Sequence, residues 1–531
     1  MNLSGPVLTL TAMTHALYLD NNATTEVLPA ALAAATAAMV QCFGNPSSSH
    51  SHGLVAKQLL DHTRALARTV IGADDGALLF TSGATEGIQT TVLSALCAIR
   101  QQRAAGQATG TLLLYGATEH KAVPEALAHW NQLLGLGLVL QALPVDSEGR
   151  HDLAALAALL PDTALLCTMA ANNETGVVSD LPGIAAALAA AERRPLWLVD
   201  GVQALGKLDL QLTRHGIDYA VFSGHKLHAP KGTGLLYVRQ DAPFTPLVVG
   251  GGQEGNWRSG TENMPGIAAL GAVLQALHQG TVFTSHAGLQ ALRDRLLRSL
   301  RSAFPPIVFN TPLAHSLPTT LNFSVPGLPS KQVLDVFDAA GLRVSAGSAC
   351  SAGKAQPSHV LVAMGLPAWR CESAVRLSIG LLTSEALVAA ACDAIARCGQ
   401  ALAAMPLAAT APTWAPTSAL NLLSDAEANA GTLHWHELDA FLSAHPAARL
   451  VDLREVAEQQ VSGGLHHGHC TAVSAPASEL PRHQALWSGA GATPVVLVCR
   501  SGKRSQQVAH WLHSQGHTMV RHLHGGLALR P

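Results

Sequence analysis

Cysteine is scarce in this chain: nine residues in 531, an odd number. That argues against a disulfide framework and for a reducing compartment. Charge of one sign is missing too. A formal charge of -2 and a pI near 7 leave no electrostatic footprint for nucleic acid or an anionic membrane. Long apolar runs are absent: Ala-rich stretches such as Ala30 to Val40 are too short and too weakly apolar to span a bilayer. Met1 to Thr14 have neither a positive n-region nor a cleavable apolar core, so they do not read as a signal peptide. A cytoplasmic protein is expected, with no nucleic-acid or membrane partner. No four-ligand metal spacing repeats along the chain. The cluster His466-His467-Gly468-His469-Cys470 therefore reads as an exposed loop rather than a metal site.

What is present is a large apolar inventory, 48% of residues, in a chain too long for one ordinary domain. Strand-like and helical segments alternate from about residue 15 to 400. Gly76 to Phe80, Thr111 to Tyr115 and Leu196 to Asp200 are short apolar runs that end in small or polar residues. Asp152 to Leu160 and Leu181 to Glu192 have helical spacing. This alternation predicts an α/β domain with a mainly parallel sheet covered by helices. Ligands then collect at the carboxyl ends of the strands. Residues 401–430 are rich in Ala, Pro and Thr and read as a linker. Residues 431–531 form a second, smaller α/β unit with strand-like Ala448 to Asp452 and Pro494 to Val498. No internal repeat relates the two parts.

The residues after the strands carry the chemistry. Asp218 to Phe222 delivers Ser223-Gly224-His225-Lys226 to the ligand edge. A buried lysine loses its proton more easily and can form a Schiff base with a carbonyl. Taken alone it is also the pattern of a surface lysine. Asp200, followed by Gly201-Val202-Gln203, places a carboxylate at a strand end, a position that equally suits a helix N-cap. Ser82-Gly83-Ala84-Thr85-Glu86 is a small-residue loop entering a helix, where free N–H groups suit a phosphate. His120, in Thr118-Glu119-His120-Lys121, is an acid/base or ring-stacking candidate, or a structural loop histidine.

In this order the blocks resemble the cysteine desulfurases, enzymes of the class V aminotransferase fold that use pyridoxal 5'-phosphate. The matching stretches are Tyr18 to Thr25, Phe43 to Ser48, Ser82 to Glu86, Thr118 to Lys121, Asn172 to Gly176, Val199 to Gln203, Ser223 to Lys226 and Arg258 to Thr261. The Asn-Asn-Ala-Thr-Thr opening is most similar to the nitrogen-fixation-type branch. The resemblance covers residues 17–395. It implies a large mainly parallel-sheet domain plus a smaller α/β domain, spanning 15–400. It implies Lys226 as the Schiff-base lysine and Asp200 as partner of the pyridine nitrogen. Gln203 and Asn173 fall at the ring hydroxyl or substrate carboxylate. Ala84, Thr85, Ser223 and His225 hold the phosphate, and His120 stacks on the ring. Thr261 reaches the phosphate of a second subunit, which implies a homodimer. Arg376, in Val375-Arg376-Leu377-Ser378, binds the carboxylate of L-cysteine, where a planar fork suits a bidentate contact.

Cys350 lies in the Gly/Ser-rich run Val344 to Lys354. A buried apolar cysteine is common, but this composition suits a moving loop. The resemblance makes Cys350 the persulfide-forming nucleophile, which must act as a thiolate. L-Cysteine would leave as L-alanine, with Lys226 and His120 moving protons.

In the smaller unit, Leu450 to Glu455, Val498 to Ser505 and His524 to Leu527 resemble a single rhodanese domain. Cys499-Arg500-Ser501-Gly502-Lys503-Arg504 surrounds a thiol with N–H groups and cations, an environment that stabilises a persulfide. Its four-residue gap between Cys499 and Arg504 favours sulfur over phosphate chemistry. Cys470 replaces the residue usual after Gly-His and is expected at a small core position, the alternative being a second thiol near the site. A relay from Cys350 to Cys499 to an acceptor protein is expected, because a tether raises the local concentration of one thiol near the other. Iron–sulfur scaffolds, tRNA thiolation and molybdenum-cofactor sulfuration are the open destinations.

Overall fold

The computed structural model describes residues 17–346, 357–404, 431–487 and 493–530. Cys350 and most of the expected linker lie outside them. In chain order, the first part carries strands β1 (Leu17–Tyr18), β2 (Ala77–Thr81), β3 (Leu112–Gly116), β4 (Val139–Leu143), β5 (Thr163–Met169), β6 (Leu196–Asp200), β7 (Tyr219–Ser223) and β8 (Gly234–Val238). Strands β2 to β8 form one seven-stranded sheet in the order β2-β8-β7-β6-β5-β3-β4. All its pairings are parallel except those of β8, which runs antiparallel to β2 and β7.

The central strands read as continuous apolar runs because helices cover both faces. All seven residues of β5 are buried, and so are Tyr219 to Ser223 of β7. The edge strand β4 leaves Val139 exposed. Asp218, buried just before β7, accepts the Trp197 N–H at 2.8 Å and ion pairs with Arg194 and Arg239. It fixes the bases of β6 and β7 and so aims both carboxyl ends, with Asp200 and Lys226, at one edge.

A smaller sheet follows: β9 (Val308–Phe309), β10 (Thr320–Ser324), β12 (Ser345–Ala346) and β13 (Val375–Ser378), ordered β12-β13-β10-β9. β11 (Leu342–Arg343) pairs in parallel with β1. Here the expected linker boundary moves. Residues 401–403 are the last turn of the helix Glu385–Ala403, whose Ala401 and Leu402 are buried. The first proline after them is Pro406, so nothing in the chain breaks the helix earlier. That helix is long and apolar enough to cross a membrane by length and composition alone. Its buried face packs on the helix His286–Ala303.

The second part contains β14 (Thr432–Leu433), β15 (Arg449–Asp452), β16 (His466–His467), β17 (Cys470–Thr471), β18 (Val473–Ser474), β19 (Val495–Val498) and β20 (Val520–Leu523). Five of them form a parallel sheet, β14-β20-β19-β15-β18. The histidine cluster is a hairpin of β16 and β17, with His467 Nε2 at 2.7 Å from Asp439. No metal-binding group of three or more His, Cys, Asp or Glu occurs among the described residues. Cys470 sits half-buried on this hairpin, opposite His467, and not in the core. The short antiparallel pairing carries it away from the parallel sheet.

The two parts touch. The helix Val456–Ser462 packs against the helices Ser330–Ala339 and Glu385–Ala403, and Ala457 is fully buried in the core of the first part.

Candidate active site

The carboxyl ends of β6 and β7 open into a cavity of roughly 280 Å³. Ala84, Thr85, His120, Asn173, Asp200, Gln203, Ser223, His225, Lys226 and Arg376 all line it. Ten expected site residues therefore meet in one place. Thr261 does not. It is exposed and borders a separate cavity beside Ser82 and Gly234.

Lys226 follows β7 in a single 3₁₀ turn, and its Nζ donates to the carbonyls of Asn22 at 2.8 Å and Ala23 at 2.7 Å. The segment Asn21 to Ala23 thus sets the position of the lysine, a role its polar, turn-prone sequence does not reveal. Asp200 is buried, and its Oδ1 accepts the Val202 N–H at 2.9 Å. This is an Asx turn; no α-helix follows Asp200, so the N-cap alternative falls away. Burial raises the Asp200 carboxyl above its usual range, with the Val202 bond, His120 and Lys226 opposing. Asp200 makes no salt bridge among the described residues, so a protonated ring nitrogen fits as its missing cation.

The phosphate end fits as well. The helix Ala84–Ala104 starts at the cavity, and the Ala84 N–H is 2.9 Å from Ser223 Oγ. Gly83 has φ of 155°. The positive end of a long helix, with Thr85, Ser223 and His225 beside it, suits a phosphate dianion. Burial and the charges of Lys226 and Lys231 push His225 down to about 4. It is neutral at pH 7 and adds a hydrogen bond rather than a charge.

The substrate end is built around Arg376, 1% exposed on β13. Its guanidinium donates to Asn173 O at 3.0 Å, to Asp20 at 2.7 Å and to Ser345 Oγ at 2.8 Å. Among the described residues its buried Nε has no hydrogen-bond partner. Burial lowers the pKa of His120, with Asp200 opposing and Lys226 assisting, so its imidazole is neutral and able to accept a proton. His359, absent from the sequence expectations, also lines the cavity and donates from Nε2 to the Glu119 carbonyl at 3.0 Å. Lys207 was missed too: it donates to Gln203 Oε1 at 3.1 Å, and burial and Lys226 push it down to about 7.

Residues 17–390 match the aminotransferase class-V family. The chain belongs to the class-V aminotransferases. Residues 435–529 match the rhodanese-like domain. Cysteine desulfurase 2 of Trichormus variabilis is 40% identical over 373 residues, 70% of this chain and 89% of its own length. The cysteine desulfurase NifS of Azotobacter vinelandii is 36% identical over 373 residues, with the same coverage. A solved NifS-like protein superposes with a TM-score of 0.64 at 32% identity, covering 72% of this chain and 98% of its own. DndA of Streptomyces lividans does so with 0.55 at 31%, covering 69% and 99%. This class-V aminotransferase is a pyridoxal-phosphate-dependent enzyme joined to a rhodanese-like domain.

In the rhodanese-like part, Cys499 follows β19 and is fully buried. The sequence places this thiol among N–H groups and cations, and the fold closes it off from solvent as well. Leu527 donates to the Cys499 carbonyl at 2.9 Å, and the turn Gly525-Gly526 sits against the loop; a Cβ on Gly526 would meet the Cys499 oxygen at 2.1 Å. Cys499 Sγ accepts the Ser505 N–H at 3.3 Å and lies 3.4 Å from Ser505 Oγ. Gly502 is left-handed at φ 81° and starts the helix Lys503–Ser514. Ser501 is half-buried and Lys503 is exposed. Arg500 and Arg504 are already paired with carboxylates.

Proposed function

We propose that this enzyme takes sulfur from L-cysteine, releases L-alanine, and holds the sulfur as a persulfide on Cys350. From there it passes to Cys499 and on to an acceptor protein. The observation that carries the reading is the meeting of Lys226, Asp200, His120 and Arg376 in one cavity, in a chain that also carries a strand-end thiol loop.

Arg376 binds the substrate carboxylate, its Nε being the donor without a hydrogen-bond partner among the described residues, while Asp20 and Ser345 hold the fork in place. Asp200 supplies the anion for the ring nitrogen. Ala84, Thr85, Ser223 and His225 hold the phosphate, with Gln203 and Asn173 nearer the ring and substrate. When bound, pyridoxal phosphate supplies the electron sink for chemistry at the amino-bearing carbon. Lys226 Nζ, steered by the Asn22 and Ala23 carbonyls, takes and returns the proton at that carbon. Neutral His120 accepts the thiol proton. The Cys350 thiolate bonds to the substrate sulfur as its bond to carbon breaks, so L-cysteine and a thiol become L-alanine and a persulfide. Transfer to Cys499 exchanges one persulfide for another with no net oxidation.

Two features support the rest. The helix Ser330–Ala339, against which the rhodanese-like part docks, is followed in sequence by β11 and β12, and Cys350 comes four residues after Ala346. Thr261 borders its own exposed cavity away from Lys226, which suits a homodimer in which it serves the other subunit's phosphate. A cytoplasmic location and an iron–sulfur, tRNA-thiolation or molybdenum-cofactor acceptor complete the proposal.

The test is mass spectrometry of each cysteine after one turnover with isotopically labelled cysteine. Label is expected on Cys350 first and on Cys499 second. In Cys350→Ser both labels vanish while the cofactor stays bound. Cys499 that never gains label in the wild type sinks the relay.

A further inference from the structure

The Cys499 end of the rhodanese-like thiol loop lies against the class-V part, while Lys503 stays exposed. Arg500, next to Cys499, is gripped by the helix Ser330–Ala339 of the class-V part. Its Nη2 lies 3.1 Å from Asp335 Oδ1 and its Nη1 3.0 Å from Asp338 Oδ2. Arg504 Nη2 lies 3.8 Å from Asp335 Oδ2 and 2.7 Å from Glu458 Oε1; its Nη1 lies 3.8 Å from Glu455. The second arm of Arg504 bonds Glu458 Oε2 at 2.7 Å. Asp335 also holds Lys331 at 2.6 Å, and Asp338 holds Arg343 at 2.8 Å.

The pairs differ in shelter: the Arg500 and Asp338 side chains are 30% and 23% exposed. The Asp335 side chain is 8% exposed and that of Glu458 is 0%. Beside them Ala457 and Val461 pack into the class-V core. Ion pairs sheltered in this way are screened by salt far less than surface pairs. The carboxylates thus stand where an incoming anion would look for cations. A free sulfur donor of the thiosulfate class is a dianion, and it would meet neutralised arginines flanked by two aspartates.

We infer that Asp335 and Asp338 act as a built-in plug on the Cys499 loop, closing it to free anionic sulfur donors and reserving it for sulfur handed over within the chain. They are specificity-determining residues that lie outside the thiol loop itself. The inference rests on the proposed reading of Cys499 as a sulfur-carrying thiol.

The step at issue is balanced. The Cys499 thiolate attacks the outer sulfur of thiosulfate, the sulfur–sulfur bond breaks, and sulfite leaves with the electron pair. Cyanide then takes the terminal sulfur as thiocyanate and restores the thiolate.

The experiment uses the full-length holoenzyme with thiosulfate and cyanide. Wild type is compared with Asp335→Asn/Asp338→Asn, with cysteine turnover measured alongside as the folding control. The double variant is expected to lower KM for thiosulfate at least tenfold, about the effect of removing one like-charge clash. Asp338→Asn alone, whose side chain is partly exposed, is expected to fall between and guards against loss of fold in the double variant. Adding Cys499→Ser must abolish the gain. Equal KM in wild type and both variants, including no thiosulfate turnover in any of them, overturns the plug, and so does a gain that survives Cys499→Ser. Label reaching Cys499 from cysteine is read separately, so failure of the relay and failure of the plug are told apart.

Discussion

The Lys226 pocket and the Cys499 loop are built the same way and left in opposite states. Each follows the carboxyl end of a parallel strand, and each uses small residues to bring N–H groups to one point. Yet the pocket keeps a cavity of roughly 280 Å³ lined by Arg376, whereas Cys499 is sealed and the terminal nitrogens of Arg500 and Arg504 are paired with carboxylates. The difference comes from neighbours, not from the strands. The pocket's charged groups are held at its rim by side chains that leave one donor over, as Asp20 does for Arg376. In the loop, Arg500 is taken up by Asp335 and Asp338 of the class-V part, Arg504 mainly by Glu458 of its own part, and Lys503 stays exposed. A strand end with small residues therefore supplies anion-binding geometry, and the surrounding carboxylates decide whether it is available.

Replacing Lys226 tests the open side most severely. Lys226→Ala removes both the covalent anchor and the proton carrier, and cysteine turnover should fall by about 10²–10⁴-fold, the usual range for losing a positioned proton-transfer group. Label from cysteine on Cys499 should vanish with it, while the rhodanese-like part still folds. Label on Cys499 at wild-type rate would mean that the two sites are not connected. A smaller loss is expected from Arg376→Lys, which keeps the charge but cannot hold Asn173, Asp20, Ser345 and substrate together. A charge-assisted contact is worth about 1.5–3 kcal/mol, so KM for cysteine should rise roughly 10–150-fold. Steady-state kinetics with cofactor absorbance unchanged would confirm that the change acts on substrate.

Much of this site is legible in the sequence because its groups come in short blocks at strand ends. Asp200-Gly201-Val202-Gln203 and Ser223-Gly224-His225-Lys226 each announce a turn, and the apolar runs before them place that turn at a sheet edge. What is not legible depends on long-range packing. The Arg376–Asp20 pair joins residues 356 apart, the hold of Asn22 and Ala23 on Lys226 spans about two hundred, and His359 at the pocket bonds Glu119, 240 residues away. The same applies to the thiol loop. Arg500 and Lys503 read alike as loop cations, but only the fold shows that Arg500 is clamped by Asp335 and Asp338 while Lys503 is exposed. One misplaced boundary and one misplaced residue have local causes: the helix Glu385–Ala403 meets no proline before Pro406, and Cys470 follows a hairpin rather than the sheet.

A pair of histidines carries the comparison into stability. Burial pushes His151, beside Gly116, down to about 4, and neither of its ring nitrogens has a hydrogen-bond partner among the described residues. Burial and then His524, His513 and His434 push His522, on β20, down to about 4, but its Nε2 bonds Thr432 Oγ1 at 3.1 Å. Both folded pKa values lie below the unfolded value near 6.5. Each neutral ring therefore supports the fold above pH 6.5 and loses that support as pH falls toward 4. His151→Leu should be neutral or stabilising at pH 7.5, because no hydrogen bond is lost. Its advantage over wild type should grow by on the order of 2 kcal/mol as pH drops through that window. His522→Leu should show the same acid trend from a starting point about 1 kcal/mol worse, for the lost Thr432 bond. Thermal melts at four pH values between 7.5 and 4.5 check both. An acid advantage that shrinks rather than grows would reverse the sign and reject the burial account.

The smallest expected effect lies inside the closed site. Cys499 Sγ accepts the Ser505 N–H, and its thiol proton points at Ser505 Oγ, which itself donates to the Gly502 carbonyl at 3.0 Å. When the thiol ionises, the Ser505 hydroxyl must turn its proton from Gly502 to sulfur, adding a second donor to the anion. Ser505→Ala removes that donor and keeps the N–H. A single neutral hydrogen bond is worth about 0.5–1.5 kcal/mol, so transfer through Cys499 should slow by roughly 2–13-fold. Cysteine turnover at Cys350 should not change, since Ser505 makes no contact with the pocket residues. Pre-steady-state labelling separates the two rates. A loss confined to Cys499 fits a thiolate stabilised inside its own loop, and an equal loss at both cysteines would show that the two sites share a slower step.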